Sequence, residues 1–157
     1  LTTHPSTTTM KKILTIILTF TGLIIGKIIA SAVVEAIKHD HKTAQRPAAI
    51  LASEANRKQL LQELNAQLPM MIDEVTRFNK TDLTADGFIY YYQFPTLTAA
   101  DISASAWQEQ TQNITKGLCG NAKTRPLLDD NVSYTYHYAD KNGQNIFSLT
   151  VHKADCP

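Results

Sequence analysis

Apolar and polar residues alternate most regularly near the C-terminus, where the segments VSYTYHY and NIFSLTVH flank Asn142-Gly143. Asn-Gly between two alternating segments predicts a β-hairpin with a two-residue loop. In that register one face of the hairpin is apolar or aromatic and the other is polar, whereas a shift of one residue mixes the two faces. The apolar pairs are Tyr138–Phe147, Tyr136–Leu149 and Tyr134–Val151, and the polar pairs are His137–Ser148, Thr135–Thr150 and Ser133–His152.

Two segments upstream have the apolar period of amphipathic helices. The first runs to Leu68, with Ser53 as a cap, and Pro69 ends it. The second runs from Ala99 to Leu118 and is capped near Thr98. The apolar positions are Leu51, Ala55, Leu60, Leu61, Leu64 and Leu68 in the first helix, and Ile102, Ala106, Trp107, Ile114 and Leu118 in the second.

The segment between the helices predicts another hairpin, with strands over 70–78 and 88–94 joined by the polar bend NKTDLTADG. Its second strand, FIYYYQF, has the aromatic and β-branched composition that strands favour. After the second helix we predict a short helical turn that is broken at Pro126. Together these elements predict an α+β fold, an α-ββ-α-ββ domain over 48–157 with a four-stranded antiparallel sheet and the helices on one face.

The N-terminal part of the chain contains an apolar segment, residues 13–34, that follows two lysines and is interrupted only by Lys27. This length spans the hydrocarbon core of a bilayer. A cleaved signal peptide ending near Ala32 is one interpretation, and a retained transmembrane helix is the other. We favour the retained helix, because Lys27 interrupts the approach to the cleavage site and because small residues recur along one side. Those residues, Gly22, Gly26 and Ala30, predict close helix packing and a homo-oligomer through that helix face.

The remaining N-terminal residues divide into a tail and a linker. Residues 1–9 are a disordered tail or an over-extended start, since Met10 with its two lysines is the natural beginning. Residues 10–34 are the anchor or signal peptide, and residues 35–47 are a linker. The histidines of the linker, His39 and His41, have too few companion ligands to predict a metal site. The expected location is the inner membrane, single-pass, with the C-terminal domain in the periplasm, or the periplasm itself after cleavage.

The charge is unevenly distributed along the chain. Residues 1–47 carry six Lys/Arg and two Asp/Glu, a net charge of +4, whereas residues 48–157 carry nine and twelve, a net charge of −3. Nucleic-acid-binding domains have clustered basic residues, and the C-terminal domain has none. We therefore expect no nucleic-acid partner.

The two cysteines, Cys119 and Cys156, follow the second helix and the last strand. In an oxidising compartment, cysteines at the ends of two elements predict a disulfide bond. A reactive thiol and a metal site are the alternatives, but a reactive thiol needs a positioned base and a zinc site needs four ligands. The disulfide is the favoured interpretation.

Motifs for chemistry are otherwise absent from the sequence, which has no glycine-rich phosphate loop, G-x-S-x-G or H-E-x-x-H. His137 and His152 lie on the polar face of the hairpin but too far apart to share an ion. Tyr134, Tyr136 and Tyr138 are predicted to face the core. We therefore expect no catalytic residues, no cofactor and no metal ligands.

The order of helix, LPMMID, GFIYYYQF, helix ending in LCGN, LLDDNVSYTYHY, NGQNIF and a closing DC resembles the disulfide-bonded α/β pilotins of type II secretion systems. It also resembles small uncharacterised bacterial envelope proteins with the same ending, over residues 55–156. Pilotins of this kind are lipoproteins that escort a secretin subunit, and this chain lacks a lipid-bearing cysteine after its apolar segment. The resemblance implies a non-catalytic domain with a protein partner in the cell envelope. An inhibitor or immunity-type protein and a hydrolase using His137 or His152 are the alternatives.

Overall fold

A computed structural model of the chain describes residues 46–157. The predictions for residues 1–9, 10–34 and 35–45 lie outside this range, including the packing face of Gly22, Gly26 and Ala30. None of the helices between residues 46 and 157 has the length and apolar composition needed to cross a bilayer.

The helices of residues 46–157 are α1, α2, α3 and α4, with a 3₁₀ turn before α3 and another after the last strand. Their bounds are Pro47–Ala52 for α1, Glu54–Asn65 for α2, Ala104–Gly120 for α3 and Arg125–Asp129 for α4. The 3₁₀ turns are Ala99–Asp101 and Lys153–Asp155. The strands are β1 (Met70–Met71), β2 (Arg77–Thr84), β3 (Gly87–Gln93), β4 (Ser133–Ala139) and β5 (Asn145–Val151).

The two longer helices, α2 and α3, each begin at a serine whose hydroxyl caps the helix. Ser53 caps α2, as predicted, and its Oγ accepts a hydrogen bond from the backbone N–H of Asn56 at 3.4 Å. Thr98 was expected to cap the second helix, but it begins the 3₁₀ turn instead, and Ser103 caps α3. At the other boundary, α2 ends at Asn65, before Pro69. The predicted first helix is therefore divided: Leu51 lies in α1, and Leu68 follows α2. Ile102, which was assigned to the second helix, lies between the 3₁₀ turn and α3.

Two details of the helix predictions were wrong. Ala55 was assigned to the buried face of the first helix, but it is exposed because it lies in the first turn of α2, before the helix reaches the sheet. Pro126 was expected to break a helical turn, but it lies in the first turn of α4. A proline is favourable there because its missing N–H would have no partner at that position in any case.

The sheet topology differs from the four-stranded antiparallel prediction. The sheet has five strands in the order β1-β2-β3-β4-β5, and β3 pairs with β4 in parallel. The connection from β3 to β4 contains α3, and a crossover of that kind returns the chain to the same end of the sheet, which makes the two strands parallel. The predicted arrangement treated the two hairpins as if they continued in antiparallel order.

The first hairpin was predicted at the wrong position. β2 occupies Arg77–Thr84, which includes most of the segment predicted as a polar bend, and the turn to β3 is only Ala85 and Asp86. A bulge between Phe78 and Lys80 adds one residue to the strand. The core-facing residues therefore do not follow a strict two-residue period, which concealed the strand in the sequence.

The second hairpin has the predicted register but a different loop. Five of the six predicted pairs, from Tyr138–Phe147 to Tyr134–Val151, are present. The sixth, Ser133–His152, is not formed, because β5 ends at Val151 and His152 begins the last 3₁₀ turn. Near the loop, a bulge shifts the pairing so that Ala139 lies opposite Asn145. The carboxylate of Asp140, which is buried, accepts hydrogen bonds from the N–H groups of Asn142 at 2.8 Å and Gln144 at 3.0 Å. These side-chain bonds stabilise a longer loop than the two residues that Asn-Gly alone predicts.

The core lies between the helices and one face of the sheet. The parallel register places Phe88 beside Tyr134, Tyr90 beside Tyr136 and Tyr92 beside Tyr138. Their ring centroids are 5.4, 5.2 and 5.1 Å apart, respectively. Stacked and tilted aromatic pairs at this distance stabilise a core beyond the area that they bury.

Gly87 and Gly117 provide a matched test of the close approach between β3 and β4. A Cβ atom at Gly87 would lie 2.2 Å from the carbonyl oxygen of Ser133, whereas a Cβ atom at Gly117 has no neighbour within 4 Å. We expect Gly87→Ala to lower the free energy of unfolding by about 3 kcal/mol, since the two strands must separate. Gly117→Ala should raise it by about 0.5–1 kcal/mol, because alanine favours the helix. Urea denaturation measures both, and equal effects would contradict this assignment.

Candidate interaction surface

The face of the sheet opposite the helices is uncovered by any other element of residues 46–157. We call it the open face. Alternation along each strand places the aromatic core residues on one side and the side chains of the open face on the other. The side chains in the middle of the open face are half-buried or exposed: Lys80, Asp82, Ile89, Tyr91, Thr135, His137, Ser148 and Thr150.

A row of four contacting side chains crosses the centre of the open face, one from each of β2, β3, β4 and β5. The Lys80 ammonium lies 4.4 Å from the centroid of the Tyr91 ring. The Tyr91 ring stacks on the His137 ring with centroids 5.2 Å apart. His137 Nδ1 is 2.8 Å from Ser148 Oγ. The row combines a cation, two aromatic faces and a hydroxyl, which suits recognition by stacking and hydrogen bonding.

His137 and Ser148 have the separation of a base and a nucleophile, so the row also tests the hydrolase alternative. A catalytic pair needs a third group that orients the base. The ring of His137 instead stacks on Tyr91, and Ser148 lies on an exposed strand at the edge of the sheet. The arrangement therefore holds the imidazole against an aromatic ring rather than against a carboxylate.

His152 lies beyond the end of β5, away from this row. Its N–H donates to Asp155 Oδ2 at 2.8 Å, which begins the last 3₁₀ turn. His152, Lys153 and Asn131 line an open hollow of about 480 Å³ near the C-terminus. Between residues 46 and 157, no three His, Cys, Asp or Glu side chains are grouped so that they could hold a metal ion.

The outer edge of β2 is closed by a side chain from α2. Asn65 Nδ2 donates to the carbonyl oxygen of Thr81 at 2.9 Å, and Asn65 Oδ1 accepts from the N–H of Thr81 at 2.8 Å. The carboxamide thus makes the two hydrogen bonds that a neighbouring strand would make. Further along the edge, the N–H of Leu83 donates to Asp82 Oδ1 at 2.9 Å. This edge is protected against pairing with another strand.

The predicted disulfide bond between Cys119 and Cys156 is present, with Cα atoms 5.4 Å apart. It joins the last turn of α3 to the segment that follows β5. No free cysteine occurs between residues 46 and 157. The bond therefore fixes the C-terminal end of the edge strand to the helix layer.

The tyrosines divide between the core and the open face. Tyr134, Tyr136 and Tyr138 are buried, as predicted, and Tyr90 and Tyr92 join them, whereas Tyr91 lies on the open face. The Tyr138 hydroxyl accepts a hydrogen bond from Gln110 Nε2 at 3.1 Å. Burial raises the pKa of all five core tyrosines above the usual value of about 10.

Sequence reasoning missed two features of this surface. It did not find the row through Lys80, because Lys80 follows a bulge in a strand that was predicted as a bend. It did not find the contact between Asn65 and Thr81, which joins residues from two different elements. An asparagine in the last turn of a helix, just before a strand, is the only local sign of that contact.

Comparisons with solved structures identify the fold as that of type II secretion pilotins. The structure is similar to the pilotin EpsS of Vibrio vulnificus (TM-score 0.54, 20% identity, covering 71% of this chain and 94% of that chain). It is similar to the pilotin AspS of Vibrio cholerae (TM-score 0.50, 19% identity, with coverages of 71% and 94%). A candidate secreted protein of Pseudomonas aeruginosa is also similar (TM-score 0.58, 17% identity, with coverages of 68% and 93%).

Comparison of sequences finds one more distant similarity and no family. No family model matches the chain. Over 92 residues the chain is 28% identical to Protein K of Escherichia coli, an alignment that covers 54% of this chain and 48% of that protein. The chain thus spans about half the length of this curated relative, and the likeness to the pilotins is a likeness of fold.

Removal of the disulfide tests its contribution to stability. We expect Cys119→Ser/Cys156→Ser to lower the free energy of unfolding by about 4 kcal/mol, because the bond closes a long loop in the unfolded chain. Urea denaturation measures the change, and the wild-type protein under reducing conditions is the control and should behave like the variant. Unchanged stability, or two free thiols in mass spectrometry of the exported protein, would contradict the prediction.

The core tyrosines predict unfolding at alkaline pH. Below about pH 10 the phenols are protonated in both the folded and the unfolded chain, so their titration does not lower the free energy of unfolding. Above that pH the unfolded chain releases protons that the folded chain keeps, so the free energy of unfolding falls as the pH rises, by at most about 1.4 kcal/mol per tyrosine per pH unit. In a Tyr91→Phe variant, phenolate absorbance and loss of circular dichroism should therefore appear together. Phenolate absorbance from the core with unchanged circular dichroism would be the opposing result.

Proposed function

We propose that this chain is a non-catalytic protein-interaction domain of the bacterial cell envelope, acting within a secretion or envelope complex. The fold likeness to two type II secretion pilotins, over 94% of each of those chains, is the observation that carries the proposal. A disulfide-bonded domain with one uncovered, polar sheet face fits a protein that works by binding another protein.

The proposed location is the inner membrane, with residues 13–34 as a single-pass anchor and the domain in the periplasm. Release into the periplasm by cleavage near Ala32 is the alternative. The disulfide supports a location outside the cytoplasm, since such bonds persist in oxidising compartments. The domain boundaries that follow are an anchor over 10–34 and a periplasmic domain over 48–157.

The partner surface that we propose is the open face, and the partner is a polypeptide segment that presents aromatic and acidic side chains. An aromatic side chain can extend the stack of Tyr91 on His137, and a carboxylate can pair with Lys80. A partner strand cannot approach the outer edge of β2 at Thr81, because Asn65 occupies it.

The geometry favours this function over the two alternatives. A hydrolase would need a group that orients His137, and its neighbour is the Tyr91 ring. An inhibitor or immunity-type protein would need a protruding loop with acidic or aromatic residues. Asp86 is exposed, but its turn spans only two residues. The loop from Asp140 to Gln144 has no aromatic residue, and its one carboxylate, that of Asp140, is buried and bound by the backbone of the same loop.

A photo-crosslinking experiment tests the proposed partner surface. Benzoylphenylalanine in place of Tyr91 is a conservative change that keeps an aromatic side chain on the open face. In intact cells we expect an adduct of defined mass, with its partner identified by mass spectrometry as a component of a secretion or envelope complex. The same amino acid in place of Lys58, which is exposed on α2, is the control and should give none of this adduct.

Alanine variants then separate binding from catalysis. Tyr91→Ala should reduce recovery of the same partner by about tenfold or more, as expected for an aromatic side chain at an interface. We expect no measurable hydrolytic activity in the wild-type protein, and therefore no loss of activity in the His137→Ala/His152→Ala variant. Equal adducts from positions 91 and 58, or an envelope hydrolase activity that disappears in the histidine variant, would overturn the proposal.

A further inference from the structure

The direction of the backbone groups in β5 follows from the hydrogen bonds of β4. The N–H of Ser133 donates to Asp86 at 2.8 Å, and the N–H of Phe94 donates to the carbonyl oxygen of Ala139 at 2.9 Å. Both bonds lie on the β3 side of β4, so the odd-numbered residues of β4 direct their backbone groups toward β3. Because direction alternates along a strand, the even-numbered residues are hydrogen-bonded to β5.

The partners of those even-numbered residues are residues 147, 149 and 151 of β5. Ser148 and Thr150 therefore direct their N–H and C=O groups away from the sheet. β5 is the last strand in the sheet order, and no strand of residues 46–157 pairs with these groups. Past the strand, the N–H of His152 is already bound by Asp155. In the regular part of β5, after the bulge, the free edge thus offers four backbone groups on two alternate residues.

This edge has none of the protection that the β2 edge has. β5, Asn145–Val151, contains no charged residue and no proline, whereas β2 contains Arg77, Lys80 and Asp82 and is closed by Asn65. Natural edge strands are usually guarded by charges, prolines or a covering element. An unguarded, uncharged strand of this length is suited to pair with another strand.

The apolar side chains of β5 are also incompletely covered. Phe147 and Leu149 face the helix side of the sheet, but both are only half-buried. Their partners on β4, Tyr138 and Tyr136, are 1% and 3% exposed on the same side. Trp107, which stacks on Phe147 with ring centroids 4.2 Å apart, is half-buried as well. The apolar layer therefore extends to the edge of the sheet, where no other part of residues 46–157 covers it fully.

We infer that the edge of β5 binds β5 of a second copy of this chain, in antiparallel orientation about a twofold axis at Leu149. Ser148 of each copy then lies opposite Thr150 of the other, and the four outward backbone groups of each strand are all hydrogen-bonded. On the helix side, Leu149 lies opposite Leu149 of the second copy, and Phe147 lies opposite its Val151. The two sheets become continuous.

A second copy fits this edge because β5 is complementary to itself in that register. Between Phe147 and Val151, each apolar residue on the helix side faces an apolar residue, and each hydroxyl on the open face faces a hydroxyl. No like charges meet, since the strand has none. A twofold interface uses the same patch on both copies, so one interface covers the half-buried apolar residues of both. This interface is separate from the open-face partner and from the packing face predicted at Gly22 and Gly26.

Sedimentation equilibrium of the full chain in mild detergent tests the dimer. The wild-type chain and a Gly22→Ile/Gly26→Ile variant should both be dimers, because the interface lies in β5. Ser148→Lys/Thr150→Lys should raise the dimer dissociation constant by about tenfold or more, since lysines guard natural edges. The matched control, Gln62→Lys/Ala66→Lys, adds the same charge at an exposed position of α2 and at the exposed residue that follows the helix, and should have no effect. Circular dichroism confirms that each variant is folded.

Cysteine crosslinking tests the register in the same protein. Ser148→Cys and Thr150→Cys are each made in the full chain, with the native disulfide intact, and treated with a short bis-maleimide. A mixture of the two variants should form a crosslinked dimer, because residue 148 of one copy lies opposite residue 150 of the other. Either variant alone should crosslink much less, since its cysteines are diagonal to each other.

The inference is wrong if the chain is monomeric in the wild type, or if the lysine pair and its control weaken the dimer equally. Loss of the dimer in the Gly22→Ile/Gly26→Ile variant would assign it to the anchor instead. Crosslinking of either cysteine variant alone in preference to the mixture would exclude the register. A wild-type dimer that gives no crosslink in the mixture or in either cysteine variant alone would exclude the β5 edge as the contact.

Discussion

The parallel pairing of β3 with β4 brings six aromatic side chains into one layer, because each core-facing residue of one strand lies beside a core-facing residue of the other. The crossover through α3 produces this pairing and also places the helix above that layer. The same alternation sends Tyr91 and His137 to the opposite side, where they stack on each other. Both the buried core and the exposed row thus depend on a single strand register.

The disulfide and the sheet edge are physically connected. Cys156 follows the last strand, and its bond to Cys119 holds the end of that strand against α3. A terminal strand without such a bond would be free to fray, and its outward backbone groups would not be held in line. In this domain the covalent bond therefore supports an edge that is otherwise held only by β4 and by the contacts of its own apolar side chains.

Local patterns in the sequence were enough to predict the parts of the structure that depend on local interactions. The register of the second hairpin follows from its alternation, and Ser53 and the two cysteines were recognised from their positions at element ends. The position of β2 was missed because a bulge at Asn79 disrupts its period, and the loop after β4 was predicted too short because the buried Asp140 carboxylate binds two backbone groups. The parallel pairing follows from the strand-helix-strand order through α3, a rule that the four-stranded antiparallel prediction did not apply. The contact of Asn65 with Thr81 depends on how distant segments meet. The row from Lys80 to Ser148 was missed for the same reason, since it crosses four strands.

The contact of Asn65 with Thr81 also limits how far the sheet can grow. A sheet with two available edges can add copies at both ends without limit, which is the route to fibres. Here β1 covers only the start of β2, and the carboxamide takes the place of the next strand at Thr81, so that a strand as long as β5 can pair only at the β5 edge. Growth then stops after one addition. An asparagine side chain in α2, a helix that takes no part in strand pairing, thus helps to keep the proposed assembly at two copies.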